Sequence, residues 1–226
     1  MTSLEGALSG MDVSLFARRH DVCAIGPNDR WALRWEHRYL AVHELAKTLV
    51  PLNAIRADRW LFLRLTRTLD HRMMALLAAP QETRGAGPFQ LSLNVSSILS
   101  AAFLRFDGAL SPTLRGEVML GLLPADIVAD PPAFQFARAF ARARGYRLLL
   151  RSVTADLVPV LPLDRMELDL LELAWSPSLA NLEMLPARPE AIVLVRVDSR
   201  GAVDWGRSQG IGLFRGAAVG RGRALP

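Results

Sequence analysis

Apolar and polar positions change period several times along the chain. Residues 20–26 (HDVCAIG) and 30–42 (RWALRWEHRYLAV) read as extended, with a turn over Gly26-Pro27-Asn28-Asp29. Helical spacing takes over from Val42 to Thr48 and again from Asp58 to Leu77. In the second stretch Trp60, Leu61, Leu65, Leu69, Met73, Leu76 and Leu77 trace one stripe, with Arg on the other face. Segment 80–88 is rich in Gly and Pro and reads as a loop. Phe89–Val95 alternates like a strand, Ser96–Leu104 returns to a helical period, and Val118–Leu123 is a short apolar strand. Asp130-Pro131-Pro132 opens a helix, because Asp caps well and proline fits a first turn. That helix runs to Arg144 and stops at Gly145. Tyr146–Leu150, Arg165–Leu173, Ala191–Val197 and Ile211–Phe214 supply further strands. Strands separated by helices predict βα units on a parallel sheet, and about eight such units predict a closed (β/α)8 barrel. Residues 1–21 read as a lead-in and 22–226 as one barrel domain.

Composition narrows the chemistry. At 226 residues and 51% apolar, the chain can bury a core without covalent staples. Cys23 is its single cysteine, which excludes an intramolecular disulfide framework and a cysteine-based zinc site. The four histidines, His20, His37, His43 and His71, make no HExxH pair. His37 and His43, beside Glu36 and Glu44, read as surface residues. With no uninterrupted apolar run of about 18 residues and no signal-peptide pattern, the expectation is a cytoplasmic protein without a membrane partner. The net charge of +5 comes from arginines spread singly along the chain, Lys47 being the one lysine. That pattern fits solvated helix faces better than a nucleic-acid footprint, which needs a basic stripe interleaved with aromatics. Trp31, Trp35, Trp60, Trp175 and Trp205 read mostly as packing residues. GIGLFRG has the wrong glycine spacing for a phosphate loop.

Six segments in order carry a resemblance. ALRWEH (Ala32–His37) is similar to the end of EALLRWxH, and Glu44–Trp60 to PLAEETGLIxxIDRW. LSLNVSSILS (Leu91–Ser100) is similar to xxINLSxxxL. GYRLLL (Gly145–Leu150) matches GVRLALDD, and LPLDRMELD (Leu161–Asp169) matches LPVDxLKID. Val197–Gly216 runs without a gap along VETxEALxWAxELGIDLFQG. The chain thus resembles the EAL family of cyclic di-GMP phosphodiesterases, which form a modified TIM barrel. The resemblance implies a barrel of that type with shortened loops at its catalytic mouth.

The same resemblance implies that the chemistry is lost. Active members hold two divalent cations on carboxylates plus one Asn, and such ions need oxygen ligands, mostly charged. The Asn is kept as Asn94. The Glu of the EAL tripeptide falls at Arg30, the next Glu on Gly121, the paired aspartates on Arg151 and Ser152, the Lys on Glu167, the Glu of EGVE on Val195, and the terminal Gln on Arg215. One surviving ligand cannot hold two ions, so no catalytic residue, no metal ligand and no cofactor are expected. Arg151, Glu167 and Asp169, with Arg30 beside them, are expected to plug the vacated site by salt bridges. Glu167 and Asp169 as a new catalytic pair is the alternative that lacks a nucleophile. An inactive, protein-binding signalling regulator follows. The second reading is a non-hydrolysing cyclic di-GMP receptor using Arg34, Asn94 and Arg215, where Arg34 matches the family's phosphate-gripping Arg. The family's self-association admits a homodimer, which the shortened loop weakens.

Overall fold

The computed structural model describes residues 12–26, 30–42, 44–45 and 59–220. Turn residues 27–29, His43, residues 46–58 of the matched second segment, and the first residues of the expected lead-in lie outside the described residues. Eight strands close a barrel in chain order: β1 (Ala17–Ile25), β2 (Trp31–Leu40), β3 (Phe89–Ser92), β4 (Val118–Leu122), β5 (Arg147–Val153), β6 (Leu170–Ala174), β7 (Ile192–Val195) and β8 (Leu213–Arg215). From β2 to β8 neighbouring strands run parallel, while β1 runs antiparallel to both β2 and β8. Since β1 starts at Ala17, residues 17–21 belong to the barrel and not to a lead-in.

Helices between the strands are α1 (Arg59–Leu77), α2 (Pro80–Thr83), α3 (Val95–Ile98), α4 (Ala101–Ala109), α5 (Pro112–Gly116), α6 (Pro124–Ala129), α7 (Pro131–Ala143), α8 (Leu163–Met166) and α9 (Arg200–Ser208). The apolar stripe of α1 buries Leu65, Leu69, Met73 and Leu77. Asp130 caps α7, its carboxylate accepting from the Ala133 amide at 3.0 Å, and Gly145 ends the turn at φ +87°. The expected helix over 96–104 divides in two, because the Ser100 hydroxyl accepts from the Phe103 amide and restarts the helix there. The expected strand over 165–173 begins only at Leu170. Residues 163–166 form α8 and Glu167 turns left-handed at φ 50°.

Strand alternation sorts the side chains into two layers. Phe89, Leu91, Leu120, Leu148, Leu150, Leu171, Leu173, Ile192, Leu194 and Phe214 face outward into the layer shared with the helices. Val22, Trp35, Met119, Leu149, Leu170, Val193 and Val195 fill the barrel itself. Fully burying one such apolar side chain is worth roughly 1.5–3 kcal/mol, so these two layers dominate the fold's stability. Above the inner apolar layer, at the C-terminal ends of the strands, the interior turns polar.

Candidate site at the mouth of the barrel

Alternation within β6 sends Leu170, Glu172 and Ala174 inward, so Glu172 sits in the barrel at zero exposure. A buried carboxylate must be paired and hydrogen-bonded, and this one is. Its Oε1 accepts from Arg215 Nη1 and from Gln90 Nε2, both at 2.8 Å, and its Oε2 accepts from the Ser152 amide at 3.3 Å. Gln90 in turn accepts from Trp35 Nε1 at 3.3 Å. Arg215 Nη1 also donates to His37 Nδ1 at 2.7 Å. Since Arg can only donate, His37 Nδ1 is the acceptor, and its Nε2–H donates to Ser92 Oγ at 2.8 Å. Burial first, then Arg215 and Arg151, hold the His37 pKa well below the usual imidazole value, so the ring is neutral. Tyr39 stacks on His37 at 5.0 Å between ring centres and its hydroxyl meets His20 Nε2 at 3.1 Å. A continuous chain of hydrogen bonds thus crosses the barrel from Trp35 to Ser92.

Gly121 of β4 and Arg151 of β5 form the other half of this layer. A Cβ placed on Gly121 would come within 2.6 Å of Arg151 Cδ and 3.2 Å of Gln90 Nε2, so the Arg151 stem occupies the space a side chain at 121 would need. Burial pulls the Arg151 pKa down, and its Nε is buried without a hydrogen-bond acceptor. At the irregularity near the end of β5 and just after β7 the chain takes left-handed conformations, at Ser152 (φ 54°) and Arg196 (φ 60°), a strain that clusters at functional mouths. A cavity of about 670 Å³ opens there, lined by Arg19, His20, Ser152, Arg196, Asp198 and Arg215 among others.

The residues expected from the sequence are not brought together. Glu167 is exposed on the outside of the opposite end, paired with Arg138 at 3.0 Å and Arg142 at 3.5 Å. Asp169 accepts from the Leu148 amide at 2.7 Å, below the strand β6. Neither meets Arg151, so the expected plug of Arg151, Glu167 and Asp169 is corrected: the carboxylate in the barrel is Glu172, and its cation is Arg215. Arg30 precedes β2, at the end away from the mouth. Arg34 is exposed on β2 below the first β3 pairing, Glu36 with Phe89. Asn94 is tied to Asp70, which accepts its amide and its carboxamide N–H, each at 2.7 Å. Arg34, Asn94 and Arg215 thus stand on β2, at the N-cap of α3 and on β8, with Asn94 held by Asp70 and Arg215 by Glu172. The reading of His37 as a surface residue is also wrong: it is 4% exposed. The cause is one of register, since the inward residues of β2 and β6 at the mouth are His37, Tyr39 and Glu172. A lone acid within the apolar run LLELA was the available signal.

No family model matches the chain and no curated protein does, but solved structures share its architecture. The FimX EAL domain of Xanthomonas citri in complex with c-diGMP superposes at TM-score 0.61, with 15% identity over 95% of this chain and 89% of that one. The fold is that of an EAL domain. The FimX EAL domain from Pseudomonas aeruginosa bound to c-di-GMP gives TM-score 0.60 at 13% identity, covering 100% of this chain and 97% of that one. A Vibrio cholerae LapD structure comprising S helix, GGDEF and EAL gives 0.62 at 12%, and there the present chain spans 95% of itself but 56% of LapD. At such identities the likeness is one of fold.

The divalent cations implied by that fold do not suit this EAL-type barrel. Gly121 offers no donor, and Arg151 and Arg215 place two cations in the ring. Among the described residues no group of three or more His, Cys, Asp or Glu side chains could hold a metal ion. Nor is any described helix long and apolar enough to cross a membrane.

Proposed function

We propose that the chain is a cyclic di-GMP signalling protein of EAL type that does not hydrolyse the nucleotide and acts by binding another protein. The observation that carries this reading is the filled interior: Arg151 lies across Gly121, and Glu172 is paired with Arg215, where metal-binding carboxylates would be needed. Arg215, one of the residues expected to bind the nucleotide beside Arg34, gives its guanidinium to Glu172 and His37. Protein binding is supported by Val128 and Phe136, 59% and 65% exposed on the consecutive helices α6 and α7. Large exposed apolar side chains on adjoining elements suit an interface better than water.

A second reading, a non-hydrolysing cyclic di-GMP receptor, is favoured by the polar cavity with Arg19, Arg196 and Arg215 on its walls. Several neighbours in fold are named as complexes with that nucleotide. Calorimetric titration of the purified protein with cyclic di-GMP, with and without Mg²⁺, followed by nucleotide analysis, separates the readings. The expected result is neither heat nor breakdown. Metal-independent binding lost on Arg196→Ala makes the protein a receptor. Appearance of the linear dinucleotide overturns both readings.

A further inference from the structure

At the mouth of the barrel, between α1, α6 and the ends of β2 and β3, lies a second cavity of about 350 Å³. Its walls are mainly apolar: Leu40, Phe62, Leu69, Met73, Leu93 and Leu123. Arg151 reaches it from β5 by crossing Gly121. Volumes of this size with apolar walls and few converging polar groups are typical of small-molecule sites.

Two carboxylates, Asp70 and Asp126, line the same space, and neither forms an ion pair with Arg151, on which Glu172 and Asp70 act only from beyond contact distance. Asp70 Oδ2 accepts from the Asn94 amide, the Asn94 carboxamide and the Ser97 hydroxyl, each at 2.7 Å. Asp126 accepts from the Val95 amide. Both acids are thus turned toward the start of α3. Among the described residues no carboxylate lies within ion-pair distance of the half-buried Arg151 guanidinium, and its buried Nε has no acceptor. A desolvated cation without a partner is costly unless an anion completes it, and a planar guanidinium matches a carboxylate through paired N–H donors.

We propose that this cavity binds a small amphiphilic carboxylate, its head on Arg151 and its hydrocarbon body between α1 and α6. Arg151 supplies the charge complement, and the apolar walls select for an aliphatic or alicyclic tail. The occupant is set apart from cyclic di-GMP by this geometry, because the walls offer few donors to a base or a second phosphate.

The test titrates the full chain with sodium octanoate and, separately, with 1-octanol, which has the same body and no charge. Octanoate is expected to bind about tenfold or more tightly than octanol. Arg151→Met, which keeps most of the stem, is expected to bring octanoate down to the octanol level. Ala129→Trp, at the exposed rim of the same cavity, is expected to abolish binding of both. Circular dichroism and a thermal melt establish that each variant is folded; if Arg151→Met is not, Ala129→Trp and the octanoate–octanol ratio still decide. Equal affinity for the two probes, unchanged octanoate binding in Arg151→Met, or no binding by the parent chain at millimolar octanoate overturns the proposal.

Discussion

Glu172 shows how one buried charge organises its surroundings. Four groups face it or its partner: Gln90, Ser152, Arg215 and, through Arg215, His37. Removing one member of such a pair strands the other in a medium that solvates it poorly. Glu172→Ala is expected to lower unfolding stability by about 3–5 kcal/mol, read as the midpoint shift in a urea titration. A loss below 1 kcal/mol would mean that water reaches Arg215. Gly121 and Arg151 make a second residue-scale test. Gly121→Ala forces the Arg151 stem aside and is expected to cost about 1–3 kcal/mol by overpacking. Combined with Arg151→Ala it should cost less than the sum of the single changes, with a coupling of about 0.5–3 kcal/mol. Additive single effects would show that the two positions do not share one space.

At the scale of elements, α1 and α3 are joined through Asp70, whose carboxylate accepts from the Asn94 amide at the N-cap of α3, from the Asn94 carboxamide and from the Ser97 hydroxyl. Burial raises its pKa from the usual 3.8 to about 6, and the hydrogen bonds from Asn94 and Ser97 offset only part of that rise. A carboxyl that protonates more readily folded than unfolded favours the native state fully below pH 4. That contribution drains away as the pH climbs to about 6. Relative to the parent, Asp70→Asn should therefore gain stability between pH 4 and pH 7, by the order of 2–3 kcal/mol, whatever its constant offset. Denaturation curves at intervals across that range measure the slope, and a flat difference would mean that the carboxyl titrates normally. Elsewhere Asp107 of α4 plays a comparable joining part, accepting from Tyr146 at 2.9 Å and pairing with Arg115 and Arg144 at 2.7 and 2.9 Å.

Over the whole molecule, the sequence pattern was legible where local chemistry and packing agree. Asp130 and Gly145 bracket α7 as their side-chain and backbone preferences dictate, and β4, β7 and β8 fall within a residue or two of their apolar runs. The mouth was harder to read. Glu167 belongs to a motif-like stretch, LPLDRMELD, yet its left-handed backbone ends α8 before β6 begins, which moves the inward positions five residues onward to Glu172. Period alone cannot reveal such a shift, because a strand reads the same from either face until its starting point is fixed. His37 was misplaced for the same reason: charged neighbours suggested a surface, while alternation in β2 turns that one ring inward and its flanking residues outward.

Antiparallel β1 is the strand that completes the ring, and its second partner, β8, is made last of the eight. During synthesis on the ribosome, Cys23 and Ala24 must wait for Phe214 and Leu213 before their edge is covered. Until then both β1 and β7 present open backbone to other chains, a recognised route to aggregation. The same delay applies to Glu172, which stays without its cation until Arg215 emerges. Nascent chains of this protein therefore depend on their final strand twice over, once to close the sheet and once to neutralise its interior.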